Sequence, residues 1–176
     1  LKPTKSAPLF GFWYPASTST SLAVGQMQPH VMLGHPILIC RDKHGKVAAI
    51  RDICPHRGMP LSFGHFDGER VECAYHGWQF DTCGRCRHIP ALVEGSPLQP
   101  DKIGITSYPC QDQDGYIWVF LPDPQQPKQP VPALPRLPLP SEPYRMIQIS
   151  TILDCTIDDG IVGLMDPAHG PFVHQS

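Results

Sequence analysis

The sequence predicts a mainly β fold over residues 1–121, in the form of a small antiparallel sandwich or barrel. Short apolar segments alternate there with turns rich in Gly, Asp and Pro, which recur about every ten residues. The chain contains no heptad pattern and no long 3.6-residue period of apolar residues, so long helices are not expected. Hydrophobic residues make up 41% of the 176 residues and charged residues 17%, a composition that supports a packed core.

Short strands are predicted throughout this first part of the chain. A turn at 42–45 joins the first two strands into a hairpin, and a turn at 112–115 leads into the last strand. Gly34 and Pro36 interrupt the first segment. The predicted strands cover residues 31–40, 47–52, 70–73, 78–80, 103–110 and 116–121.

Prolines mark a boundary after residue 121. Nine of the 22 prolines lie in residues 122–143. Because proline removes a backbone donor and fixes φ, this stretch is predicted to be an extended connector. Beyond it, residues 144–157 alternate in polarity like one strand, and 158–164 could form a helical turn or two. A segment of about thirty residues cannot bury a core alone, so the second domain, residues 144–176, is expected to be incomplete in this sequence.

Composition excludes several classes of function. The net charge is −2 and no dense run of Lys or Arg occurs, so the electrostatic signature of nucleic-acid binding is missing. The longest apolar runs, such as 117–121, are too short to cross a bilayer, and residues 1–9 lack the apolar stretch of a signal peptide. Seven cysteines, an odd number, favour a reducing compartment over a disulfide framework, and the cytoplasm is expected.

Two short segments combine cysteine with histidine in a way that indicates a metal centre. The first reads Cys54-Pro-His56, and the second reads Cys73-Ala-Tyr-His76, after sixteen intervening residues. Each segment therefore offers one thiolate and one imidazole, followed by a glycine that permits a tight turn. A two-iron cluster in which two His replace two Cys on one iron requires this set of ligands. A zinc site is the alternative, but zinc modules usually group two Cys in one knuckle and two His in the other.

The pattern C-x-H, a spacer of this length, then C-x-x-H resembles the Rieske family. The resemblance implies that Cys54 and Cys73 bind one iron of a [2Fe–2S] cluster and that His56 and His76 bind the other. Respiratory-type members have an extra Cys after each ligand pair, which forms a disulfide. This chain has Gly and Met at 58–59 and Gly and Trp at 77–78, so it is similar to the oxygenase or ferredoxin branch.

The remaining cysteines and the aromatic residues near the motif are expected to pack or to form a turn and not to bind the cluster. Cys83 and Cys86 form a C-x-x-C pair that could bind zinc or exchange disulfides, but a turn beside the cluster is favoured because no second pair completes a site. The other three are expected to fill the core, since they lie in apolar segments. They are Cys40, Cys110 and Cys155. Tyr75 and Trp78 are expected to pack near the cluster and tune its potential.

A second candidate metal site lies near the end of the sequence. Asp166, His169 and His174 have the spacing D-x-x-H-x-x-x-x-H, and residues 170–171 (Gly-Pro) prevent a regular helix from separating the two imidazoles. Two His and one carboxylate form the facial triad of non-haem Fe(II) oxygenases. An Asp followed by Pro167 is also the ordinary start of a helix, with Asp at the N-cap.

Together the two motifs resemble the α (terminal oxygenase) subunit of Rieske non-haem iron oxygenases. The motif D-P-A-H-x-P-F-V-H is similar to that of the branch that contains pheophorbide a oxygenase. The resemblance implies an α+β helix-grip-type catalytic domain in which His169 and His174 bind a mononuclear iron. Asp166 would relay electrons between subunits of a homotrimer. The family's third, carboxylate ligand lies outside this sequence, and Val162 replaces an Asn that many members have.

The resemblance thus predicts an enzyme that takes electrons from NAD(P)H through a reductase or ferredoxin. It would use O₂ to hydroxylate, demethylate or oxidise the ring of an organic, aromatic substrate. A Rieske-type ferredoxin, which carries electrons without its own catalysis, is the alternative that residues 10–121 alone would satisfy. A zinc-stapled binding module is a third interpretation.

Overall fold

Three antiparallel sheets form the first part of the molecule, as a computed structural model shows for residues 9–138, 151–166, 168 and 173. The chain divides into two units after Leu137. The mainly β prediction is confirmed. Strands in the described ranges are β1 (Phe12–Thr18), β2 (Met27–Met32), β3 (His35–Arg41), β4 (Val47–Arg51), β5 (His65–Phe66), β6 (Arg70–Glu72), β7 (Gln79–Asp81), β8 (Cys86–His88), β9 (Ser107–Tyr108), β10 (Cys110–Gln113) and β11 (Tyr116–Leu121).

The sheets are ordered β1-β11-β10, β2-β3-β4-β9 and β5-β6-β7-β8. The predicted strand at 31–40 is in fact a hairpin, since β2 and β3 pair antiparallel with Met32 opposite His35. Leu33 and Gly34 form the turn with φ of +48° and +80°, the left-handed geometry that a two-residue hairpin requires. The predicted strand at 103–110 is too long, because within it only Ser107–Tyr108 and the first residue of β10 belong to strands, while Gly104 forms an isolated bridge with Arg85.

β3 separates two apolar cores. Leu38 and Cys40 face the first core, which also contains Cys54 and Cys73, while Ile37 and Ile39 face the second core between the first two sheets. A strand buried on both faces needs a continuous apolar run, and β3 supplies one. The first core therefore forms a rigid base directly beneath the two Cys–His segments.

The proline-rich segment up to residue 137 is part of the first unit and is hydrogen-bonded to its strands and turns. The indole N–H of Trp13 donates to the carbonyl of Pro132 at 2.9 Å, and the side chain of Gln113 donates to the carbonyl of Pro135 at 3.2 Å. Asp114 accepts the backbone N–H of Leu137 at 3.0 Å. These contacts fit an extended chain without its own sheet. The domain bounds at 121 and 143 stay a prediction.

The second unit contains the helix α1 (Ile157–Met165), where a helical turn or two is expected from the sequence. Thr156 caps it by accepting the backbone N–H of Asp159 at 3.2 Å. Residues 151–156 are not in a strand, contrary to the prediction, and 144–150 lie outside the described residues. No helix in the described ranges is long and apolar enough to cross a membrane.

Candidate metal centre

Loop 1, residues 54–59, follows β4 and is closed by two backbone hydrogen bonds. The N–H of Cys54 donates to the carbonyl of Met59 at 2.8 Å, and the N–H of Gly58 donates back to the carbonyl of Cys54 at 2.9 Å. Gly58 has a φ of +72°, a conformation that side chains with a Cβ rarely adopt. The loop therefore holds Cys54 at its base and turns His56 outward.

Loop 2, residues 73–78, joins β6 to β7 and has the same hydrogen-bond pattern. The N–H of Cys73 donates to the carbonyl of Trp78 at 2.9 Å, and the N–H of Gly77 donates to the carbonyl of Cys73 at 2.9 Å. Gly77 has a φ of +68°, and a Cβ there would lie 2.9 Å from the ring of Pro90. Glycine is therefore required twice over, by the turn and by the close approach of Pro90.

The two thiols share a buried position. Cys54 and Cys73 are each 2% exposed, and their side chains are close enough to hydrogen-bond with each other. Burial raises the pKa of the Cys54 thiol to about 11, so without a metal this sulfur keeps its proton. A bound cation would displace that proton, because a thiolate is the form that binds metal.

The two imidazoles share an exposed position. The ring centroids of His56 and His76 are 4.5 Å apart, with 62° between the ring planes, and both residues are exposed. Partial desolvation, with smaller contributions from the nearby His76 and Arg57, lowers the pKa of His56. The lowered pKa favours the neutral ring, which is the form of histidine that binds metal.

Loop 2 also supplies an aromatic support for each imidazole. Trp78 stacks on His56 with a centroid distance of 4.6 Å and only 5° between the planes. Tyr75 lies against His76 at 3.9 Å with a tilt of 34°. The expected packing of both aromatic residues near the ligand set is therefore observed, and Trp78 additionally connects loop 2 to loop 1.

These residues fit a mixed-ligand two-iron cluster. The thiols form one pair inside the protein and the imidazoles form a second pair at its surface, so each iron would receive two ligands of one type. In the described ranges no three Cys, His, Asp or Glu side chains surround a single ion position. A two-iron cluster requires only two protein ligands at each iron.

Sequence comparison identifies this arrangement. Residues 12–109 match the profile of the Rieske [2Fe–2S] domain. The chain belongs to the Rieske [2Fe–2S] domain family. The match runs from the start of β1 to residue 109 and so includes both loops and most of both cores.

Relatives of this Rieske chain include oxygenases. It is 36% identical over 170 residues to chlorophyllide a oxygenase of Chlamydomonas reinhardtii. The aligned region covers 96% of this chain and 25% of that protein. The crystal structure of dicamba monooxygenase bound to dicamba is similar over 96% of this chain and 49% of the other, at 32% identity and a TM-score of 0.80. An oxygenase–ferredoxin complex of carbazole 1,9a-dioxygenase is similar over 65% of this chain and 29% of the other, at 25% identity and a TM-score of 0.58.

The predicted resemblance to Rieske oxygenases of the pheophorbide a oxygenase branch is confirmed by these relatives. The chain spans a quarter of the curated relative's length and about half of the dicamba monooxygenase chain. The similarity to dicamba monooxygenase extends past the Rieske domain, since it covers 96% of the chain whereas the domain profile ends at residue 109.

Two further cysteines pack in the two cores, Cys40 in the first and Cys110 against the second. Burial raises the pKa of Cys40 and of Cys110 to about 12, with a further contribution from neighbouring groups, so both remain protonated and uncharged. Cys40 is buried as expected, and Cys110 is partly buried. The expectation that Cys155 fills a core is wrong for the described residues. It is exposed and directly precedes the cap of α1, because residues 151–156 are not a strand.

The C-x-x-C pair lies at the turn between β7 and β8. Cys83 is exposed and its N–H donates to the carboxylate of Asp81 at 2.9 Å, whereas Cys86 is buried and its thiol lies 3.8 Å from the carbonyl of His88. Burial raises the pKa of Cys86. One thiol faces solvent and the other the core, which agrees with the interpretation as a turn.

The second predicted metal site is only partly described. Asp166 follows the last residue of α1, and its carboxylate accepts the N–H of Ala168 at 3.0 Å. Asp166 is therefore the C-cap of α1, and its hydrogen bond to the N–H two residues further on is also the bond that the alternative interpretation, an N-cap, expects. His169 and His174 lie outside the described residues, so the mononuclear iron site stays a prediction.

Sequence reasoning missed one pair of residues beside loop 1. Asp52 is buried and accepts two hydrogen bonds from Ser62. An acidic residue at the end of an apolar strand, two positions before a cysteine ligand, is the signal that could have identified it.

Proposed function

We propose that this Rieske chain belongs to the terminal oxygenase component of a Rieske non-haem iron oxygenase, which hydroxylates, demethylates or ring-oxidises an organic, aromatic substrate with O₂. The observation that carries the proposal is the buried thiol pair beside the exposed imidazole pair on two matched loops. The relatives named as oxygenases support the enzymatic assignment.

Each ligand pair has its own task in this proposal. Cys54 and Cys73 hold one iron of the [2Fe–2S] cluster in the core, and His56 and His76 hold the other iron at the surface. When bound, the cluster supplies one-electron transfer and the mononuclear iron supplies activation of O₂. The exposed imidazoles bring the site to the surface, where an electron donor or acceptor can approach.

The remaining parts of the enzyme are carried over from the resemblance. His169 and His174 bind the mononuclear Fe(II), and a carboxylate outside this sequence completes the triad. Asp166 positions electron transfer between the subunits of a homotrimer. NAD(P)H supplies the electrons through a reductase or ferredoxin in the cytoplasm, and the oxygenase–ferredoxin complex of carbazole 1,9a-dioxygenase supports such a partner.

The cluster is tested by spectroscopy of the purified holoprotein. We expect iron and acid-labile sulfide in equal amounts and, after reduction with dithionite, the low-g EPR signal of a Rieske centre. Cys73→Ser is expected to abolish the signal, whereas the matched control Cys83→Ser changes an exposed thiol and retains it. Zinc in place of iron and sulfide would contradict the proposal.

Oxygenase and ferredoxin functions are separated by O₂ consumption. The full-length holoprotein is supplied with reductant and with chlorophyllide a, dicamba and carbazole, the compounds named for its relatives. We expect substrate-dependent O₂ uptake that His169→Ala abolishes while the cluster EPR signal remains. A cluster that cycles normally without O₂ uptake with any substrate would favour a ferredoxin.

A further inference from the structure

Asp52 is the only charged residue that is buried in the part of the chain the structure describes. It is 5% exposed and lies directly after β4, two residues before Cys54. Its own N–H donates to the carbonyl of Pro36 at 3.0 Å, which fixes its backbone to the start of β3. A buried carboxylate is costly unless hydrogen bonds compensate it, so its partners indicate what it does.

Both partners come from one residue on the other side of loop 1. The backbone N–H of Ser62 donates to one carboxylate oxygen of Asp52 at 2.7 Å, and its hydroxyl donates to the other at 2.6 Å. Ser62 lies in the single 3₁₀ turn Leu61–Phe63 that follows loop 1. The Asp52–Ser62 clamp, as we call this pair, therefore closes loop 1 at its base.

The clamp also connects loop 1 to loop 2. Leu61, next to Ser62, is fully buried in the core that contains Cys54 and Cys73. Gly64 ends the same turn, and a Cβ at this position would lie 1.8 Å from the carbonyl oxygen of Glu72. The exit of loop 1 thus lies against the residue that precedes Cys73. A displacement of the clamp would move the bases of both loops.

Hydrogen bonding alone does not account for an aspartate at this position. An asparagine has the same shape, and its amide could accept the N–H of Ser62 and donate to the hydroxyl. None of the ion pairs within the described ranges involves Asp52, so no cation neutralises it there. The charge of Asp52 does act on this core, since it contributes to raising the pKa of the Cys40 thiol, which is buried in the same core as Cys54 and Cys73. A negative charge at this core opposes the addition of an electron to a cluster bound there.

We propose that Asp52 is a positioning residue of the Rieske centre: through Ser62 it holds loop 1 closed over the cluster, and its charge lowers the reduction potential. This inference rests on the proposed cluster ligands, Cys54, His56, Cys73 and His76. It adds an electrostatic role for a side chain that contacts no iron.

The test is a redox titration of the holoprotein followed by EPR. Asp52→Asn is expected to raise the equilibrium constant for one-electron reduction about tenfold, which is ~59 mV for one electron. The control is Asp67→Asn, which makes the same change at an exposed carboxylate that also accepts two backbone N–H groups, both at 2.7 Å. The control is expected to leave the potential unchanged.

Ser62→Ala separates the clamp from the charge. It keeps the charge of Asp52 but removes the hydroxyl hydrogen bond, and bonds to charged groups are among the stronger ones, so we expect release of the cluster to a chelator to accelerate about tenfold. The potential is expected to stay closer to wild type than in Asp52→Asn.

The outcomes distinguish this inference from the proposed function. A wild-type protein without a Rieske EPR signal would refute the ligand assignment itself. A wild-type signal combined with an unchanged potential in Asp52→Asn would overturn the role of Asp52 alone. If Asp52→Asn binds no cluster, the role of the clamp is tested with Ser62→Ala instead. Unchanged release of the cluster in Ser62→Ala would overturn that role.

Discussion

Replacing Trp78 is expected to loosen the cluster without unfolding the domain. The indole is stacked on His56 at 4.6 Å and 5°, so it restricts the orientation of an imidazole that is otherwise exposed. An aromatic pair contributes about 0.5–1.5 kcal/mol beyond the burial of its area. Taking about 1 kcal/mol as the loss in Trp78→Leu, release of the cluster should accelerate about fivefold.

The assay follows the visible absorbance of the oxidised holoprotein in the presence of an iron chelator. Trp78→Phe keeps a ring against His56 and is expected to fall between wild type and Trp78→Leu. Trp118→Leu is the control, because Trp118 lies on β11 and packs against Tyr116 instead of a ligand. Equal release rates for Trp78→Leu and wild type, or for Trp78→Leu and Trp78→Phe, would refute the stacking argument.

Three further predictions concern the fold around the centre. Gly84→Ala should reduce the free energy of unfolding in urea by more than about 2 kcal/mol, because φ is +81° and a Cβ would lie 2.3 Å from a backbone carbonyl oxygen. The control Gly45→Ala has a similar φ of +82° but open space around the new Cβ. It should reduce the free energy of unfolding by only about 1 kcal/mol. Backbone and side-chain hydrogen bonds lower the pKa of Asp114, so its attachment of the proline-rich segment should be present above about pH 4 and lost as the pH falls through the lowered pKa. Limited acid proteolysis of wild type and of Asp114→Asn would detect this loss, and equal acid sensitivity would contradict it. Maleimide should label Cys83 rapidly and Cys86 only after unfolding, and mass spectrometry of the labelled peptide would reveal the opposite order.

The class of fold could be predicted from the sequence because turns rich in Gly, Asp and Pro between short apolar segments are a local signal. The sequence predicts one strand where β2 and β3 form a hairpin, since Leu33 continues the apolar run into the turn and its φ of +48° is not visible in the sequence. β1 was missed because Pro15 and polar residues interrupt its apolar pattern. Its place in a sheet depends on pairing with β11, a partner about a hundred residues away, which local periodicity does not report.

The ligand types could be predicted from spacing, but not the arrangement that separates them by burial. His56 follows its cysteine by two residues and His76 follows its cysteine by three, although both loops have the same hydrogen-bond frame. The core beneath the loops holds both cysteines, and the exposed imidazoles lie with their ring centroids 4.5 Å apart. The buried core therefore determines which ligand pair is internal. The same packing buries Asp52 at the base of loop 1, where it accepts two hydrogen bonds from Ser62, whereas the motif specifies only the ligands.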